Sequence, residues 1–253
     1  MDLKNKILKR QLTIGSWITV GDYAMTEIMA KSGFDWLAID IEHSVIDFEK
    51  TQNLIRIINL CGITSFVRVG ENNPLIIKRV MDAGAKGIIV PMINCKEDAV
   101  KAVNAMNYPP KGNRGVGLAR AQEYGLKFNE YKNWAGKNSI LVAQIEHLKA
   151  VENLEEILSV KGIDAIIVGP YDLSASMGIP GDFNALPMRS AMEKIKKTAD
   201  KFKIAYGFHV IQPEAKELKN KISQGCTFLA FSLDALLLAA KCRDELKQIR
   251  KGK

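Results

Sequence analysis

Ile163-Asp164-Ala165-Ile166-Ile167-Val168-Gly169-Pro170-Tyr171-Asp172 sets a short apolar run directly against a polar tail. The run is rich in β-branched residues and almost continuously hydrophobic. A strand buried on both faces looks like this, and a one-sided antiparallel strand does not. The same pattern recurs outward from it. Upstream lie Leu12–Thr19, Trp36–Ile41, Ile63–Val69, Gly87–Met92 and Ser139–Ile145, and downstream lie Ile204–His209 and Cys226–Phe231. Helical stretches separate them, with apolar residues at i, i+3 and i+4. Phe48–Leu60 shows this through Leu54, Ile55, Ile57 and Ile58, and Ala191–Phe202 and Pro213–Gln224 also read as helices. Pro74 and Pro213 suit a first helical turn, while Gly33, Gly62, Gly84 and Gly225 suit helix ends.

Eight such strands, each followed by a helix, fall about every 32 residues, which is the count of a (β/α)8 TIM barrel. We therefore expect one α/β barrel domain over residues 1–253. A doubly wound open sheet uses the same units, but its usual ligand signals, G-x-G-x-x-G and G-x-x-x-x-G-K-S/T, are absent. The longest irregular piece is Asn107–Asn138, holding Tyr108-Pro109-Pro110 and Gly112-Asn113-Arg114-Gly115-Val116-Gly117. A loop of that length is functional or carries its own short helix, and Phe128–Trp134 is the candidate for that helix.

Composition narrows the function classes. With 47% hydrophobic and 25% charged residues over 253, the chain can bury a large core, which excludes a disordered or stapled mini-scaffold. The net charge of +8 admits nucleic acid, an acidic membrane or an anionic small substrate, or simply a solvated lysine-rich surface. The lysines are spread out, and the clusters Lys4–Arg10 and Lys247–Lys253 read as solvated ends. No basic cluster interleaved with aromatics is present, so no nucleic-acid partner is expected. Cys61, Cys95, Cys226 and Cys242 are scattered without zinc-ligand spacing, which suits a reduced compartment. Met1–Gln11 is polar and basic, and no window approaches ~20 apolar residues. The expectation is a cytoplasmic protein with no signal peptide and no membrane span.

In a barrel the chemistry sits where the strands end, at the C-terminal face. The polar residues there are Asp40-Ile41-Glu42-His43, Arg68, Gln144-Ile145-Glu146-His147, Gly169-Pro170-Tyr171-Asp172 and His209. Glu146 and Asp172 come from neighbouring strands. Their hard oxygens, with water and substrate filling the other positions, suit an octahedral Mg²⁺ or Mn²⁺. The plain alternative is that either pairs with Arg68 or caps a helix. Arg68 ends a buried strand and needs an anion: a substrate carboxylate or enolate, or else a salt bridge to Glu42 or Glu146. His43 suits general acid–base work or a structural role, and His147 and His209 read as structural. None of the eight candidate strands holds a lysine, which disfavours a Schiff-base aldolase.

These residues resemble the HpcH/HpaI aldolase family. The resemblance runs through Gly33-Phe34-Asp35-Trp36, Asp40-Ile41-Glu42-His43, Val67-Arg68-Val69, Asp82-Ala83-Gly84-Ala85 with Val90-Pro91-Met92, the Tyr108–Gly117 loop, Gln144-Ile145-Glu146 and Gly169–Ser174, in family order from about Gly15 to Gly181. It implies a class II, divalent-metal-dependent aldolase on a (β/α)8 barrel. Such enzymes reversibly cleave 4-hydroxy-2-oxo acids to pyruvate and an aldehyde. By motif match, Glu146 and Asp172 would be metal ligands for Mg²⁺, Mn²⁺ or Co²⁺. Arg68 would hold pyruvate and its enolate, Gln144 would contact substrate, and His43 would work in acid–base chemistry with Asp82 as its partner. The resemblance also implies a homohexamer of dimers that exchange C-terminal helices, with Asp234–Arg250 as that helix. Glu71-Asn72-Asn73, His147 and Tyr171 depart from the family pattern and bear on substrate identity. A citrate-lyase-like carbon–carbon lyase acting on an acyl-CoA ester is the alternative activity, and a non-catalytic scaffold is a third reading.

Overall fold

Buried apolar strands leave their backbone groups only one another to bond with, and here they close into a ring. The computed structural model describes residues 2–251, so the last residues of the C-terminal basic cluster lie outside it. The strands are β1 (Thr13–Ile18), β2 (Trp36–Asp40), β3 (Thr64–Arg68), β4 (Gly87–Val90), β5 (Ile140–Ile145), β6 (Ala165–Val168), β7 (Ala205–Val210) and β8 (Phe228–Leu233). All pair in parallel in sequence order, and β1 pairs with β8 to close the barrel. The helices are α1 (Leu3–Leu8), α2 (Tyr23–Ala30), α3 (Phe48–Leu60), α4 (Pro74–Asp82), α5 (Lys96–Met106), α6 (Phe128–Asn138), α7 (Leu148–Glu152), α8 (Leu154–Leu158), α9 (Pro170–Ser176), α10 (Leu186–Phe202), α11 (Ala215–Ser223) and α12 (Asp234–Lys251). The expected (β/α)8 barrel is thus the observed one.

Two cores follow from the alternation of side chains along each strand. Inside the barrel, Trp36 stacks on Phe228 at 4.5 Å, and Phe66 meets both edge-on. Small residues make room for them. A Cβ on Gly15 would lie 2.0 Å from the Trp36 ring, and one on Gly87 would lie 2.4 Å from Phe66. Leu3 and Ile7 of α1 join this inner cluster, so the first helix plugs the barrel's N-terminal end. The larger core lies between strands and helices, where Leu54, Ile55 and Ile58 of α3 and Ile77, Val80 and Met81 of α4 are buried.

Several boundaries move from their sequence expectations. Phe48–Leu60 is met at both ends, but α10 starts at Leu186, five residues before Ala191, with Pro187 in its first turn and Met188 buried. Pro213 lies outside α11, whose N-cap is Glu214. Strand β8 begins at Phe228 rather than Cys226, because the Cys226 N–H still closes α11 on the Lys221 carbonyl at 3.1 Å. In the long Asn107–Asn138 segment, a 3₁₀ turn at Arg120–Gly125 precedes α6, which runs on to Asn138. No helix among the described residues is long and apolar enough to cross a membrane.

Candidate active site

Parallel strands end on one face, so the polar residues at their C-terminal ends share a mouth. Register decides which of them touch. Asp40 of β2 pairs directly with Arg68 of β3. Arg68 Nε and Nη2 donate to Asp40 Oδ1 and Oδ2 at 3.0 and 2.6 Å, a bidentate fork that fixes the guanidinium plane. Asp40 Oδ1 also accepts from the Glu42 and His43 backbone N–H groups, at 3.0 and 3.2 Å, and so ties down the turn after β2. The guanidinium lies 4.5 Å over the Trp17 ring. Burial alone would raise the Asp40 acid, but Arg68 and the two backbone donors outweigh it and hold the carboxyl below its ordinary value. The same pairing overcomes burial at Arg68 and keeps it charged.

Glu42 sits on the other side of Arg68. Its Oε2 is 3.2 Å from Arg68 Nε, within ion-pair range, yet it is buried with no aligned hydrogen bond. Burial pushes this carboxyl up to about 7; Arg68 opposes the rise, while Glu146, Asp40 and Asp172 add to it. Three carboxylates, Asp40, Glu42 and Glu146, thus act on one arginine.

Glu146 follows the end of β5 and is held from two sides. Its Oε1 accepts from the Met92 N–H at 2.8 Å, and its Oε2 accepts from the Gln144 amide. A Cβ on Gly169 would sit 3.1 Å from Glu146 Cβ and Oε2, so glycine is what lets the β6 end pass this close. Burial raises the Glu146 acid, and the neighbouring Asp172 raises it further against the pull of Gln144, Met92 and Arg68. Asp172 stands in the first turn of α9, exposed at the rim. No three His, Cys, Asp or Glu side chains converge in metal-ligand fashion among the described residues. The protein's offer is therefore two repelling carboxylates, an all-oxygen set. Such a pair fits a hard divalent cation that keeps water and substrate oxygens in its remaining positions.

Trp17, Arg68, Gln144, Gly169, Asp172 and His209 line one narrow cleft of about 70 Å³. A wider groove of about 780 Å³ between α10 and α11 adjoins it through Pro170, Tyr171, His209 and Ile211. Arg68, Asp172 and His209 line the small cleft, and Asp40, Glu42 and Glu146 act on Arg68 from behind it, so this cleft and not the larger cavity is the candidate for the chemistry.

His43 is on the rim, its side chain 64% exposed and its Nε2 3.8 Å from Glu42 Oε2. Asp82 is placed elsewhere. It ends α4, which runs back from the mouth toward the opposite end of the barrel, and its carboxylate pairs with Arg114. Within one chain it does not stand beside His43. His147 is structural, as expected, since its Nδ1 accepts from the Lys149 N–H and caps α7. His209, also read as structural, lines the cleft.

Sequence reading left Asp40 and Trp17 without a role. Asp40 carried a signal, standing last in a strand next to the one that Arg68 ends. Trp17 carried none: an aromatic residue inside an apolar strand reads as core.

A family model described as HpcH/HpaI aldolase/citrate lyase matches residues 13–240. A 2-keto-3-deoxy-L-rhamnonate aldolase of Shigella dysenteriae is 32% identical over 99% of this chain and 93% of its own. A hydroxypyruvate/pyruvate aldolase of Paraburkholderia phytofirmans is 32% identical over 98% of this chain and 97% of its own. The crystal structure of a family protein from Burkholderia cenocepacia superposes with a TM-score of 0.93 at 28% identity, covering 98% of each chain. On the matched residues and the shared barrel, this chain belongs to the HpcH/HpaI aldolase/citrate lyase family, a family of carbon–carbon lyases.

Proposed function

We propose that this protein is a divalent-metal-dependent class II aldolase that reversibly cleaves a 4-hydroxy-2-oxo acid to pyruvate and an aldehyde. The observation that carries the reading is one cleft lined by Asp172 and by an arginine that Asp40 locks, with Glu146 held behind Gln144 and raised by the nearby Asp172. Both relatives named above are aldolases, which supports the same class. Glu146 and Asp172 would hold Mg²⁺ or Mn²⁺, which when bound supplies Lewis acidity toward the 2-oxo group.

The chain's own residues do the rest. Arg68 Nη1 makes no hydrogen bond among the described residues, so it keeps donors for the substrate's developing enolate oxygen. Because Asp40 fixes the guanidinium beforehand, that stabilisation needs no reorganisation in the transition state. Gln144 orients Glu146 and touches the substrate. In cleavage a base takes the 4-hydroxyl proton, C3–C4 breaks, and the electron pair passes to the enolate beside Arg68. His43 is assigned that proton. Asp82, engaged by Arg114, is given no step. The same reading takes the protein as a cytoplasmic homo-oligomer, hexameric by family resemblance.

The test is exchange of pyruvate methyl protons in D₂O, followed by NMR with EDTA and then with Mg²⁺ or Mn²⁺. It needs no knowledge of the aldehyde. We expect metal-dependent exchange that falls about 10²–10³-fold in Arg68→Ala, the usual loss of a preorganised donor. No exchange with any metal overturns the reading and turns the search to acyl-CoA esters.

A further inference from the structure

His209 stands where the narrow cleft opens into the wide groove, and no step above uses it. On β7, Tyr206, Phe208 and Val210 pack outward with the helix layer, so His209 faces the barrel axis. Its ring tilts 57° against Trp17 at a centroid distance of 5.5 Å. Its Nε2 lies 3.3 Å from the Ser232 carbonyl oxygen, which only accepts. Nε2 therefore carries the proton, and Nδ1 is left as an acceptor with no hydrogen-bond partner among the described residues. Burial, helped by Arg68, pushes the imidazole pKa down to about 4, so the ring stays neutral at physiological pH.

Trp17 forms the other wall of the same cleft, its ring packed beside His209 and its indole Nε1 buried out of reach. The unpaired Nδ1 acceptor complements a group that donates, such as a hydroxyl. A methyl group would leave Nδ1 unpaired, and a carboxylate would face its lone pair. Leaving buried polar groups unpaired is costly, which is how a hydroxyl-reading site rejects the analogue without the hydroxyl.

We propose that His209, with Trp17 beside it, is the specificity-determining residue of this site and accepts a hydrogen bond from a hydroxyl on the aldehyde-derived part of the substrate. The enzyme then prefers hydroxylated aldehydes to their deoxy counterparts. Such a substrate passes His209 as it leaves the cleft for the groove, where Asn184, Arg189 and Asn220 offer further polar contacts. The inference rests on the aldolase reading, and the experiment separates the two.

Pyruvate exchange is measured first on the wild type. Then kcat/KM for aldol addition to pyruvate is measured with glycolaldehyde and with acetaldehyde on the same protein, so that losses of folded fraction or of enolate formation cancel in the ratio. We expect a wild-type ratio of at least about tenfold in favour of glycolaldehyde. It should fall toward unity in His209→Leu and recover in part in His209→Gln, which restores an acceptor. His209→Phe, which keeps an aromatic ring and loses the acceptor, should also lower the ratio and serves where His209→Leu does not fold. Absent exchange in the wild type removes the aldolase reading and this inference with it. Exchange together with a wild-type ratio near one, or with a ratio unmoved by these variants, overturns the inference alone.

Discussion

Arg68 shows what a strand-end residue does and does not reveal. Its position at the mouth and its need for an anion were legible from the apolar run before it. Its partners were legible in part: of the expected Glu42 and Glu146, Glu42 is within ion-pair range at 3.2 Å, but the tighter partner, Asp40, was not foreseen. Strand ends can be read from hydrophobicity, but the register that sets Asp40 opposite Arg68 is a tertiary fact. Asp40→Asn keeps the size and loses the charge of the clamp. It should lower metal-dependent pyruvate exchange by about 10²-fold, the scale of a misplaced catalytic group. An unchanged rate would show that Glu42 alone positions Arg68. At the proposed cation site, Gln144 is the hydrogen-bond partner of Glu146. Gln144→Ala should weaken Mn²⁺ binding by about 10–100-fold in calorimetry, as loss of a ligand's orienting partner does. Equal affinity would mean that Met92 N–H suffices to hold the carboxylate.

At the scale of elements, strands and helices were legible because buried parallel strands and amphipathic helices have distinct periods. Their ends were less so, since Pro213 and Cys226 fall in connections whose hydrogen bonds belong to the neighbouring helix. The placement of Asp82 was also hidden. A motif match carried it toward His43, but α4 ends at the far side of the layer, where Arg114 takes it. Strand β7 carries a pH dependence of its own. His209 is held neutral with its pKa near 4 by burial and by Arg68, against the pull of Ser232 and Asp40. An unfolded histidine titrates near 6.5. Between those values the unfolded chain binds the proton and the folded chain does not. The stability tied to neutral His209 is thus complete above about 6.5 and is lost as pH falls toward 4. Between pH 7 and 4.5 the wild type should lose about 2 kcal/mol more than His209→Leu. For a chain of this size that is about 4–8 °C in Tm. Parallel Tm–pH curves for the two proteins would refute a neutral buried histidine.

For the whole molecule, the last helix poses the open question. Asp234 anchors its start firmly, its carboxylate accepting from Thr19 N, Thr19 Oγ1 and Val20 N at 2.6–3.1 Å. Beyond that anchor, α12 packs chiefly on β8 and β1. Leu238, Leu246 and Ile249, at i, i+8 and i+11, leave an apolar stripe exposed. The preceding helix α11 buries none of its residues. A barrel's eighth helix normally covers the flank beside the seventh; here Leu218 and Ile222 of α11 and Leu237 of α12 reach the core, while much of both helices stays exposed. Eighteen helical residues span about 27 Å, long enough to lie along a neighbouring barrel. Exchange of α12 between two copies, which the family resemblance implies, would cover that stripe. The leucine-rich pattern from Asp234 onward was legible, whereas its departure from the barrel depends on packing that no local stretch records. Each Leu or Ile so buried contributes about 1.5–3 kcal/mol. Leu246→Asp with Ile249→Asp should therefore shift the mass measured by light scattering from an oligomer toward the monomer. It should also lower Tm in a way that depends on protein concentration for the wild type and not for the variant. A wild type that is monomeric at micromolar concentration would sink the exchange, and α12 would then need a different partner.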